Sequence, residues 1–129
     1  MKNVVSHVNI LLSLANKKDY QGMDANLESL KSRRKLTFEE EYIHYLVAVI
    51  IYMDATKTIM PKEEIETENM YEAIYHNRFG LAYDIIQKKS QVEKLSQEEI
   101  IALLLLKEIS TLKRDIQKDQ KEVQKVKAM

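Results

Sequence analysis

Hydrophobic positions recur every three or four residues along most of the chain, and no stretch keeps the strict alternation of a half-buried strand. That pattern predicts helices throughout, six in number. The first spans about Asn3 to Lys17, carries Val4, Val8, Leu11, Leu12 and Ala15 on one stripe, and ends in polar Asn16, Lys17 and Lys18. Asp19 can cap the second, in which Tyr20, Met23, Leu27 and Leu30 share a face as far as the basic run Lys31 to Lys35. The third starts at Thr37 and is apolar on most of its circumference from Tyr45 to Met53, so it is the expected centre of the core.

Proline lacks an N–H and is tolerated mainly in the first turn of a helix, so the next break is expected between Thr56 and Pro61. The fourth helix would then open on Glu63, Glu64 and Glu66, where the helix dipole favours anions, and bury Ile65, Met70, Tyr71 and Ile74. A fifth begins beyond Asn77 and buries Phe79, Ala82, Tyr83 and Ile86. The sixth starts at Ser96 and is long, with Ala102, Leu105, Ile109, Leu112, Ile116, Val123 and Val126 on one seam and Asp119 as its polar intruder. Together these stripes place Leu11, Leu27, Leu46, Val49, Ile74, Phe79, Ile86, Leu105 and Ile109 in a shared core.

The third and sixth helices open on similar words, LTFEE at 36–40 and LSQEE at 95–99. Each contains a capping box: Thr37 with Glu40, and Ser96 with Glu99. Capping alone would not make the surrounding residues agree in register. Here the offset of 59 (95 minus 36) also lays Tyr20 on Phe79, Leu27 on Ile86, Lys35 on Lys94, Leu46 on Leu105 and Ile50 on Ile109. The chain is therefore expected to be one domain over residues 1–129, built from two stacked three-helix units at 1–58 and 60–117.

Composition agrees with an all-α fold, because only two glycines and one proline serve 129 residues. Twenty basic residues balance twenty acidic ones, so no global field gathers nucleic acid or an anionic membrane surface. The absence of cysteine excludes disulfides, thiolate nucleophiles and cysteine-ligated zinc. The N-terminal apolar run is interrupted by Ser6, His7, Asn9 and Ser13 and is not expected to be a signal peptide. The longest apolar run, Tyr45 to Met53, is about half of the roughly 20 residues a membrane span needs. A soluble, cytoplasmic protein is expected.

The segment from Asn16 to Leu27, NKKDYQGMDANL, resembles the turn and second helix of a tetratricopeptide-like unit, in which a polar turn, an acidic residue and an aromatic lead into a helix. With the basic stretch and LTFEEEYIHYL that follow, it resembles the helical repeats of Gram-positive peptide-sensing regulators, the Rgg, Rap and AimR group, over about Asn16 to Tyr52. The tetratricopeptide period of about 34 residues is absent. The resemblance therefore implies a class of function only: binding of a peptide or protein segment on a helical surface.

Candidate chemistry is sparse. Glu41 and His44 have the Glu-x-x-His spacing of di-iron bundles, but such a site needs a second copy, and Glu72 to His76 is one residue too long, so neither metal nor cofactor is expected. Neither glycine lies in a phosphate-binding loop, and no serine or threonine sits in a nucleophile motif. Arg33 and Arg34, flanked by Lys31 and Lys35, form the densest basic cluster, and they also complement a helix C-terminus. Nucleic-acid contact would need Lys88 and Lys89 to join them, and no aromatic residues are interleaved for base stacking. Tyr42, Tyr45 and Tyr52 on the third helix, with Arg33 and Arg34, are the expected protein- or peptide-binding residues, since aromatics with a polar tip suit half-wet interfaces. Residues 113–129 either pair with a partner helix, a homodimer through Leu112, Ile116, Asp119, Val123 and Val126, or fray as a solvated tail.

The sequence thus points to a non-enzymatic regulatory or adaptor interaction module. The competing readings are a small helical-bundle enzyme or metal protein, and a nucleic-acid-associated factor.

Overall fold

A computed structural model describes residues 7–128, with side chains as far as Val123. Six helices occupy it: α1 (His7–Asn16), α2 (Tyr20–Arg33), α3 (Phe38–Thr56), α4 (Met70–Tyr75), α5 (Phe79–Val92) and α6 (Gln97–Ala128). There is no strand among the described residues. The expected start of the first helix at Asn3 lies outside them.

Local chemistry fixes most of the boundaries. The Asp19 carboxylate accepts from the Gly22 amide at 2.9 Å and caps α2. A Cβ at position 22 would lie 2.4 Å from a carboxylate oxygen of Asp19, so a larger residue there would displace the capping side chain. At α3, the Glu40 amide donates to the Thr37 hydroxyl and the Thr37 amide donates back to the Glu40 carboxylate at 2.8 Å. Ser96 and Glu99 repeat this reciprocal pair at the start of α6, at 2.9 and 3.1 Å. Both capping boxes form as the sequence proposes.

The core sits where α3 meets α6. α1 and α5 flank α6, α2 packs on α3, and α4 lies on α5 with a smaller contact to α3. Leu46, Val47, Leu105 and Leu106 are fully enclosed at this crossing. All nine core residues expected from the stripes are buried. Each such side chain contributes about 1.5–3 kcal/mol through removal of apolar surface from water.

The fourth helix departs from expectation. It does not open on Glu63, Glu64 and Glu66; the chain from Thr58 to Asn69 is not helical. Two physical reasons explain this. Glu64 and Glu68 would repel one another one turn apart in a helix, and Asn69 offers a stronger start, its side chain accepting from the amides of Tyr71 and Glu72 at 2.9 and 3.2 Å. Three of the segment's backbone groups bond instead to residues of the α4–α5 turn. The Asn77 side-chain amide donates to the Pro61 carbonyl at 2.9 Å, the Glu63 amide to the His76 carbonyl at 3.1 Å, and the Arg78 guanidinium to the Ile65 carbonyl at 2.9 Å. Residues 61–65 become a strap across that turn.

Helix ends recur at the offset of 59: Asn16 and Tyr75 end α1 and α4, Tyr20 and Phe79 start α2 and α5, Arg33 and Val92 end them, and Phe38 and Gln97 start α3 and α6. Lys18 and Asn77, also 59 apart, both take left-handed backbone, at φ 57° and 61°. The correspondence is incomplete in length, since α4 has 6 residues where α1 has 10.

Candidate functional site

The tyrosine-rich side of α3 faces α4 across a groove of about 380 Å³, lined by Phe38, Glu41, Tyr42, Tyr45 and Tyr75. Helical spacing puts Phe38, Glu41, Tyr42 and Tyr45 on one side of α3, three or four residues apart. α4 supplies Tyr75 from the opposite wall. Phe38 is 54% exposed and Tyr75 is 71% exposed, large values for rings of this size.

Packing behind the groove holds its rings in place. Phe38, Tyr42 and Tyr71 form a triangle with centroids 4.8, 4.9 and 4.8 Å apart, tilted or edge-on as ring quadrupoles prefer. Tyr45 leans towards Phe79, and its hydroxyl donates to the Asn77 side-chain oxygen. Asn77 therefore joins the strap, through Pro61, to one ring of the groove. Tyr75 packs edge-on against His76, which is itself bonded to Glu63 at 2.7 Å.

Electrostatically the groove is acidic. Glu41 is part of its lining, and no basic residue is. Burial pushes the Tyr71 hydroxyl up to about 12, helped by the charges of Glu39, Glu99 and Glu98. Burial also raises the Tyr42 hydroxyl, with Tyr75 and Glu41 adding to the effect. Among the described residues no cation pairs with Glu41.

Of the residues expected to bind, Tyr42 and Tyr45 come together here, while Tyr52 is exposed two turns away and outside the groove. Arg34 lies outside the groove lining and has a structural task. It makes two bonds of 2.9 Å to Glu40 and so locks the end of α2 to the start of α3. This pair, with the Thr37 amide, holds the Glu40 carboxyl down at about 2. The Arg33 guanidinium bonds to the Ser29 carbonyl, at 3.4 Å, within its own helix. Lys89, needed for a joint basic patch, is bonded to Glu99. Burial alone would raise the Glu99 carboxyl, but Lys89 and the Ser96 amide and hydroxyl outweigh it and hold it below the usual carboxylate range.

His44 does not act with Glu41. Its Nε2 lies 3.3 Å from Asp24 and 3.0 Å from Glu28, both on α2. These three donor atoms lie within 4.8 Å of one another. The cluster was hidden in the sequence because it joins two helices, although the Asp24 and Glu28 spacing placed both carboxylates on one face of α2.

On α6, Ile116 is buried in the chain's own core and Leu112 packs against it. Asp119 and Val123 are exposed, and Val126 lies beyond the described side chains. Two of the five residues of the expected dimer seam are thus occupied internally. No described helix is long and apolar enough to cross a membrane. Comparison of the chain with protein-family models, curated proteins and solved structures finds no match.

Proposed function

We propose that the protein is a non-enzymatic regulatory or adaptor module that binds a peptide or protein segment in the groove between α3 and α4. The observation that carries this reading is the exposure of Phe38 and Tyr75 in a groove whose Phe38 and Tyr42 rings are packed with Tyr71 in an aromatic triangle. Rings fixed before binding lose little entropy on contact, and central aromatics surrounded by a polar rim are the usual anchors of interfaces. The boundaries that recur at an offset of 59 support two three-helix units, and the tetratricopeptide-like resemblance points to the same class of binding in the cytoplasm. Arg33, Tyr52 and the exposed part of α6 are further surfaces for a partner or a second copy.

Peptide-display selection on the full chain, counter-selected on the Tyr75→Ala variant, tests the groove. Peptides should be enriched on the wild type alone. Equal enrichment on both proteins would remove the groove as the binding surface.

A second reading, a metal protein, is favoured by the Asp24, Glu28 and His44 donors, which could supply three ligands to a divalent cation, with water completing the shell. Wild-type protein should then retain zinc through gel filtration while the His44→Ala variant does not. Equal zinc content in the two would end this reading.

A further inference from the structure

We propose that the groove selects a positively charged side chain, so that the partner segment presents a lysine or arginine to a cage of Phe38, Tyr42, Tyr45 and Tyr75 with Glu41 as its counter-ion. This rests on the peptide-binding reading above and specifies the chemistry of its ligand.

Three features of the groove converge on a cation. Its wall is four aromatic rings, whose faces are negative and attract an ammonium or guanidinium held within about 6 Å. Its single charged lining residue is Glu41, an exposed carboxylate with no cationic partner among the described residues. Glu39 and Glu98, neither of which has an ion-pair partner among the described residues, add negative charge near Tyr71, whereas Glu99 is neutralised by Lys89. An acidic ligand would face this charge without a compensating cation in the lining. A purely apolar one would cover Glu41 and the tyrosine hydroxyls, and covering a charge without a partner is costly.

The neighbouring cleft does not reverse this. Lys31, Arg34 and Lys35 line it together with Glu41 and His44, but Arg34 is held by both oxygens of Glu40. Neither Lys31 nor Lys35 pairs with Glu41. The aromatic side of Glu41 therefore remains open to an incoming cation.

The test uses the full chain and the blocked peptide acetyl-Leu-Arg-Leu-Arg-Leu-amide, followed by calorimetry or tyrosine fluorescence. Its companions replace both arginines with citrulline, which keeps the planar shape without the charge, or with glutamate. The arginine peptide should bind about 10-fold more tightly than the citrulline peptide, a ratio within the range of a desolvated cation–π contact. The glutamate peptide should bind most weakly. Glu41→Gln, an exposed substitution, should shrink the arginine advantage to the part the rings supply, and Tyr75→Ala should weaken binding of both peptides. Equal affinities on the wild type, with binding lost in Tyr75→Ala, would overturn the cation preference while leaving the groove in place. An arginine advantage undiminished in both Glu41→Gln and Tyr75→Ala would arise from the acidic surface at large and would also overturn it. Absence of binding by all three peptides would overturn the cation preference and the peptide-binding reading together.

Discussion

Replacing Leu46 with alanine is expected to lower the free energy of unfolding by about 2–5 kcal/mol. Leu46 is fully enclosed on α3, and its neighbours one turn away, Ile43 and Ile50, are enclosed as well. β-Branched isoleucines have few rotamers with which to collapse into the space left behind, so much of the cavity should persist. A domain of this size holds roughly 5–15 kcal/mol in all, so the loss is a large share of its stability. Urea unfolding should show a lower midpoint at unchanged slope. Tyr75→Ala, at a largely exposed position, should stay within about 0.5 kcal/mol of the wild type. A Leu46→Ala midpoint equal to that of Tyr75→Ala would mean that the α3 and α6 crossing is not the centre of the fold.

Glu40→Ala is expected to cost about 2–3 kcal/mol near neutral pH, by an electrostatic route. Glu40 is 9% exposed, and its carboxylate accepts two bonds from Arg34 and a third from the Thr37 amide. These contacts lower its pKa from the ordinary 4.5 to about 2. Each unit of difference from the unfolded chain corresponds to about 1.4 kcal/mol, and the partial exposure of Arg34 reduces the total. A depressed carboxylate stabilises the fold above its unfolded pKa, and that contribution is lost as pH falls towards the folded value. The wild type should therefore lose stability between about pH 4.5 and pH 2. Glu40→Gln should give a flatter profile in that window, keeping only the smaller contribution of Glu99. Parallel profiles for the two proteins would show that the Arg34 and Glu40 pair does not stabilise the fold.

Helix starts were legible where the signal is local. Thr37 with Glu40, Ser96 with Glu99, and Asp19 each cap within three residues, and the structure places them as their spacing requires. The start of α4 was not, because the choice between Pro61 and Asn69 depends on hydrogen bonds that Asn77, His76 and Arg78 make to residues more than ten positions earlier. The same limit applies to the candidate site. Tyr42 and Tyr45 could be read from α3 alone, whereas Tyr75 faces them only because α4 packs beside α3. Arg34 drew attention as a member of a basic run, yet its position at the end of α2, six residues before Glu40, gives it a structural partner. The pairing of His44 with Asp24 and Glu28 likewise requires the packing of α2 on α3.

The groove itself is tested most directly by measuring the affinity of the display-selected peptides for the wild-type chain and for Tyr75→Ala under the same conditions. Removal of an exposed aromatic anchor that leaves stability unchanged should weaken binding about 10-fold or more. Equal affinity for the two proteins would place binding elsewhere on the surface and contradict the groove.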